Sequence, residues 1–334
     1  MKSFYIFQFI FNFSLIIYFN KISDYINLFD RPDKIRKFHK KKTANIGGFI
    51  LFLNFFFYIV YVSFVPSDFK STNIIFTSEE IYYLFIFSFL FFILGFIDDK
   101  YELSANLKLN LFFFIIIFLL FFDKSILITN LKFSFLLKPI DISKISFFFT
   151  LMSFLLFINA FNMFDGINLQ SALYSSFLFL ILLINGFATE IVFVLILPLL
   201  FFIYLNHNSK CFLGDNGSLL ISYLLSYLFI KSYNTNNIFY ADQIFLLMMI
   251  PGFDLLRLAI TRIYNGKHPF KADRNHLHHN LLQKYGYLKT LLIMFSIIII
   301  PNIISLILGG TLYLILITSI LYFLCIFATK NKFH

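Results

Sequence analysis

The sequence predicts an all-α, polytopic membrane protein, and three observations predict it. First, 60% of the 334 residues are hydrophobic and only 13% are charged, whereas soluble domains carry about 25% charged residues. Second, apolar runs of about 20 residues, the length that crosses a bilayer as a helix, recur from end to end. Third, the basic residues collect in alternate connections, the pattern of cytoplasmic loops. Residues 1–334 read as a single integral membrane domain, without a soluble domain or a repeat of fixed period.

The length rule gives about eleven spans, near 3–20, 47–65, 80–97, 107–122, 145–163, 171–186, 190–206, 217–231, 242–260, 290–308 and 311–328. The first resembles a signal sequence but lacks a small-residue cleavage site, so it is kept as a span. Only Asn185-Gly186 separates the sixth from the seventh, and only Gly309-Gly310 the tenth from the eleventh. The loop after the first span holds Lys21, Arg31, Lys34, Arg36, Lys37, Lys40, Lys41 and Lys42, which assigns it to the cytoplasm. Alternation then places the N-terminus outside and the C-terminus inside, with about 20 of the 27 basic residues on the cytoplasmic side. These loops account for the net charge of +10 without a nucleic-acid partner. Cys211 and Cys325 are too few for a disulfide framework and read as free thiols.

Four polar islands interrupt the apolar pattern, and the alternation brings all of them to the cytoplasmic face. Intramembrane or membrane-edge ionisable residues are costly and mark functional sites. The central island is Phe212-Leu213-Gly214-Asp215-Asn216-Gly217-Ser218, in which Asp215 reads as a magnesium ligand. A second, Gly95-Phe96-Ile97-Asp98-Asp99-Lys100, is followed by Lys108. Adjacent carboxylates on a helix point about 100° apart, so Asp98 and Asp99 are expected to divide their roles, with Lys108 available as a point charge for phosphate. The third island places Asn162, Asp165 and Asn168 three apart, on one face if the helix continues through Gly166. Oxygen ligands at this spacing suit a hard cation or a sugar hydroxyl.

The fourth island contains Asp254 and Arg257 in the ninth span, then Arg262, Lys267, His268, Asp273, Arg274, His276, His278 and His279. Its histidines and aspartates admit a zinc reading. Its many cations instead favour a phosphate or nucleotide cradle. At the start of the second span, Gly47-Gly48 permits close approach of a backbone or a ligand.

Taken in this order, the islands resemble the polyprenyl-phosphate N-acetylhexosamine-1-phosphate transferase family from Asp30 to about His279. The matching elements are Asp98, Asp99, Leu103, Ser104 and Lys108; Asn159, Ala160, Asn162, Asp165 and Gly166; and the Phe212–Ser218 stretch. The run from Pro269 to His279 is similar to the WecA-like branch rather than the MraY branch. The resemblance implies transfer of a sugar-1-phosphate from a UDP-N-acetylhexosamine to undecaprenyl phosphate, releasing UMP, as the first membrane step of a cell-surface glycan such as O-antigen. It implies Mg2+, with Mn2+ as a substitute, at Asp215 and Asn162. It implies catalytic roles for Asp98, Asp99 and Asp165, and substrate binding by Lys108, Asn168, Arg274, His276, His278 and His279. The location implied is the bacterial inner membrane, among membrane lipids, and a homodimer is compatible with it.

Two departures stand out. Many relatives in that family carry a second Asp after the Asp-Gly, where this chain has Asn168 and Leu169, and the usual prolines before Gly47 are replaced by Thr43, Ala44 and Asn45. The competing expectations are an MraY-like transferase for UDP-MurNAc-pentapeptide, a membrane transporter, and a CDP-alcohol phosphotransferase. A transporter would need midplane polar residues, and the aspartate spacing of the last does not occur.

Overall fold

The computed structural model describes residues 1–30, 42–64, 76–236, 239–269 and 275–329. Arg31, Lys34, Arg36, Lys37, Lys40 and Lys41 of the basic loop, Lys70, Asp273, Arg274, Lys330 and Lys332 lie outside them. Among the described residues there are thirteen α-helices: α1 Lys2–Ile17, α2 Phe19–Ile26, α3 Gly47–Phe64, α4 Ser78–Tyr101, α5 Ala105–Phe122, α6 Ser146–Phe164, α7 Gln170–Ile184, α8 Thr189–His207, α9 Gly214–Asn236, α10 Ala241–Tyr264, α11 Leu277–Tyr285, α12 Tyr287–Leu308 and α13 Thr311–Thr329. The only strands described are two short antiparallel pairs, Phe29–Asp30 with Thr43–Ala44 and Asn130–Leu131 with Ile140–Asp141.

A helix stands at each of the eleven expected spans, with α2 and α11 in addition. Eight of them, α3 to α6, α8, α10, α12 and α13, are long and apolar enough to cross a membrane, and the pair α1–α2, bent by 76°, brings the number to nine. The protein is therefore polytopic. Two expected spans fall short for identifiable reasons. Helix α7 has only 15 residues, and α9 carries Asp215, Asn216, Lys231 and a series of serines. Every residue of α9 from Asn216 to Tyr233 is buried, so protein rather than lipid surrounds it and polar groups can be satisfied internally. Ser222, Ser226 and Ser232 return their hydroxyls to carbonyls of the preceding turn, at 2.7 to 3.0 Å.

The narrow breaks foreseen between neighbouring spans are real. Gly186 ends the α7 connection with φ +69°, and Gly309 and Gly310 separate α12 from α13 at φ +73° and +70°. A left-handed backbone is strained for residues with a Cβ, which is why glycine serves at these positions.

The chain divides into two compact units, Met1–Lys124 with Ser171–Leu228, and Ser125–Gln170 with Phe229–His334. In the first, α3 packs on α8, α4 and α1, and α1 also packs on α8. Buried amides join these apolar helices: Asn12 and Asn54 exchange hydrogen bonds at 2.7 and 3.1 Å, and Gln8 donates to the Val194 carbonyl at 2.7 Å. Such bonds pin helix register where lipid-like surroundings provide no other polar partner. In the second unit α10 packs on α6, α12 and α13, while α11 lies against α12 and α13.

Candidate active site

The first unit gathers one cluster around the N-terminus of α9. The lead-in to that helix is fixed by backbone pairing: Phe212 donates to the Ala44 carbonyl at 2.8 Å, and Gly47 and Gly48 donate to Phe212 and Leu213 at 3.1 and 3.2 Å. A Cβ on Gly48 would collide with Asn216 and Gly217, and one on Gly95 with the backbone of Asp215 and Asn216. The glycines noted before α3 and at the end of α4 therefore serve close approach of backbones. Cys211, buried in this lead-in, is a free thiol whose pKa is pushed up to about 12 by burial.

Asp98 and Asp99 take different partners. Asp99 accepts four donors: the backbone N–H groups of Asp215 (3.0 Å) and Asn216 (2.9 Å), the Asn216 amide (2.5 Å) and the Asn45 amide (3.3 Å). It caps α9 in trans, since the first N–H groups of a helix lack intrahelical acceptors and carry partial positive charge. Asp98, also buried, accepts the Leu103 N–H at 2.8 Å and forms an ion pair with Lys108. Lys108 Nζ lies 3.9 Å from Asp215 Oδ2, and the Asp215 side chain is 31% accessible where that of Asp98 is 2%. Three carboxylates and one ammonium leave a formal charge of −2 (3 × −1 and +1). Oxygen donors at that charge fit a hard divalent cation of the kind that takes one or two protein carboxylates and completes its shell with substrate phosphate and water. Asn45 and Asn216, which complete this cluster, were noted in the sequence but given no role in the site.

The second unit gathers the third island and the described part of the fourth. Helix α6 stops at Phe164, so Asn162 is helical while Asp165 and Asn168 lie in the loop beyond. The shared helical face conditional on a continuing helix does not form. Gly166 meets His278 so closely that a Cβ there would overlap the imidazole. Gln170 contacts His278 Nδ1 at 3.4 Å, and Tyr287 donates to the Asn168 carbonyl at 3.1 Å. The loop 165–170 and the histidine run are thus brought together, whereas Arg274 lies outside the described residues. His278 is fully enclosed, with its Nε2 unpartnered. Burial, reinforced by His279 and His276, holds its pKa well below the usual imidazole value.

Asp254, His276 and His278 place ligand atoms within 4.8 Å of one another, close enough to share an ion. The Asp254 carboxylate is already filled by Arg257 (2.8 Å), Tyr322 (2.9 Å), His276 (2.9 Å) and the Leu277 N–H (3.2 and 3.3 Å). A carboxylate has about four lone-pair positions, and an adjacent guanidinium disfavours a divalent cation. The zinc reading therefore does not fit this group. Tyr322, far along the chain in α13, is a partner the sequence did not reveal.

Comparison with known proteins bears on both clusters. Residues 81–233 match the family model Glycosyl transferase family 4. Over 321 residues the chain is 27% identical to undecaprenyl-phosphate alpha-N-acetylglucosaminyl 1-phosphate transferase of Thermotoga maritima, covering 95% of this chain and 94% of that protein. It is 28% identical over 278 residues to a probable undecaprenyl-phosphate N-acetylglucosaminyl 1-phosphate transferase of Bacillus subtilis, covering 78% of this chain and 72% of that protein. It is 26% identical over 292 residues to the Escherichia coli K12 undecaprenyl-phosphate alpha-N-acetylglucosaminyl 1-phosphate transferase, covering 84% of this chain and 75% of that protein. The matched segment holds Asp98, Asp99, Lys108, Asn162, Asp165, Asn168 and Asp215. Residues 81–233 are thus similar to glycosyl transferase family 4, and most of the chain is similar to proteins bearing the name of undecaprenyl-phosphate N-acetylglucosaminyl 1-phosphate transferase.

Proposed function

We propose that the protein transfers N-acetylglucosamine-1-phosphate, or a related N-acetylhexosamine-1-phosphate, from the UDP-sugar to undecaprenyl phosphate and releases UMP. An oxygen of the acceptor phosphate attacks the β-phosphorus of the donor; the bond from that phosphorus to the bridging oxygen breaks, and UMP leaves with the oxygen. The observation that carries this reading is the Asp98–Lys108–Asp215 cluster, held at a helix N-terminus within the segment that matches the family. The relatives' names support the N-acetylglucosaminyl donor over the MurNAc-pentapeptide alternative. In phosphoryl transfer, positioning and charge neutralisation supply most of the catalysis.

Asp215 would hold Mg2+, which when bound would neutralise charge on the donor pyrophosphate. Lys108 binds acceptor phosphate, Asp98 orients Lys108 and takes any proton remaining on the acceptor, and Asp99 acts by presenting Asp215. In the second unit Asp165 and Asn168 address the sugar-phosphate, and Arg274, His276, His278 and His279 the nucleotide-sugar. We take residues 1–334 as one transferase domain in a bacterial inner membrane, with eleven spans, the N-terminus outside and the reaction on the cytoplasmic face. The distribution of basic loops supports that orientation.

Purified protein in detergent, given undecaprenyl phosphate, UDP-GlcNAc and magnesium, is expected to release UMP only when all three are present, and chelation should stop it. Asp215→Ala should abolish release. Full activity in that variant would remove the metal assignment.

A further inference from the structure

The histidine run is gripped from behind by residues that neither the motifs nor the family match assign. Asp254 of α10 is buried and accepts His276 Nδ1 at 2.9 Å on one oxygen, Arg257 and Tyr322 at 2.8 and 2.9 Å on the other, and the Leu277 N–H between them. Arg257 also donates to the Asn275 carbonyl at 2.6 Å and to the Tyr322 hydroxyl at 2.9 Å. His276 is the N-cap residue of α11 but makes no side-chain capping bond. The Asp254 carboxylate takes that place, accepting the first N–H of the helix and countering its dipole.

This arrangement does more than anchor a helix end. A carboxylate that accepts from Nδ1 assigns the ring proton to that nitrogen and fixes the plane of the imidazole, so Nε2 is left for a ligand. The His276 ring lies 5.2 Å from His278, with the planes inclined by only 18°, and His278 in turn lies 4.2 Å from His279.

We propose that Asp254, braced by Arg257 and Tyr322, is a positioning residue that presents His276, through Nε2, to the phosphate-bearing UDP-sugar. This rests on the transferase reading. The test combines steady-state kinetics for each substrate with 15N NMR of histidine-labelled protein, for wild type, Asp254→Asn and Tyr322→Phe. Asn is nearly isosteric but loses the charge and can turn N–H groups toward the ring. Asp254→Asn is expected to lower kcat/KM for the UDP-sugar by about ten-fold or more, leave KM for undecaprenyl phosphate unchanged, and move one histidine from the Nδ1–H to the Nε2–H signature. Tyr322→Phe removes one of several donors and should show a smaller loss in the same direction.

A folded Asp254→Asn protein with wild-type UDP-sugar kinetics would overturn the proposal. So would an equal loss toward both substrates with an unchanged histidine spectrum, which is the behaviour of a merely structural anchor. If wild-type protein released no UMP, the transferase reading would fall by itself. The clamp would then be judged on the spectrum, where a wild-type His276 protonated at Nε2 alone would overturn it.

Discussion

Asp99 shows how far residue type alone can carry a role. The sequence places two adjacent carboxylates at a helix end and predicts that they point apart, and they do. It does not reveal that the second carboxylate reaches N–H groups 116 and 117 residues further along the chain. No local periodicity encodes that contact, because it depends on where α9 begins in space. The capping role has a measurable consequence. Asp99→Ala should destabilise the protein by about 0.5–2 kcal/mol from the cap alone, and by more because the buried Asn216 amide and the half-buried Asn45 amide each lose an acceptor. Its melting temperature in detergent should therefore fall together with UMP release. A variant that melts like wild type but is inactive would instead make Asp99 a direct participant in the chemistry. Asp254 and Arg257 were visible as charges three apart inside a span, a pattern that marks function. Their common partner, Tyr322, was not, since a tyrosine in an apolar run carries no such signal.

At the scale of elements, apolar length located the helices well, because crossing a bilayer requires an unbroken hydrogen-bonded helix wherever lipid is the solvent. The rule failed to describe α9, whose serines and ions are tolerated by enclosure in protein. It also gave no notice of α2 and α11, which are too short to register as spans. Gly47 and Gly48 read as points of close approach in the sequence, Gly95 did not, and only the structure names what approaches each. Gly95 of α4 faces the backbone of Asp215 and Asn216, so the two helices cross at the residue that would bear the metal. Gly95→Ala must push α9 away from α4. Overpacking of this kind costs about 1–3 kcal/mol, and here it also displaces Asp215. The expected outcome is a lower melting temperature with a disproportionate loss of UMP release at fixed amounts of folded protein. Wild-type activity in a stable Gly95→Ala variant would show that the crossing has slack.

For the whole molecule, the islands legible in the sequence sort into two clusters. In the first unit a carboxylate and ammonium group surrounds the start of α9; in the second a histidine run lies against loop 165–170, clamped by Asp254. The family model ends at residue 233, before the clamp begins, so the histidine cluster stands on its own geometry and on the longer alignments with the relatives. The cytoplasmic orientation follows from basic residues that in part lie outside the described structure. Cysteines introduced one at a time at Lys42 and at Lys138 should react with a membrane-impermeant maleimide in opposite preparations: Lys138→Cys in intact cells, Lys42→Cys only in inverted vesicles. The reverse pattern would invert the assignment.

The fate of the donor's β-phosphorus separates transfer of a sugar-phosphate from transfer of a sugar. UDP-GlcNAc labelled with 32P at that atom, incubated with the protein, undecaprenyl phosphate and magnesium, should pass its label into the lipid as the nucleotide is released as unlabelled UMP, in equal amounts. Label retained in UDP while the sugar appears on the lipid would contradict phospho-sugar transfer and the roles given to Asp98, Lys108 and Asp215.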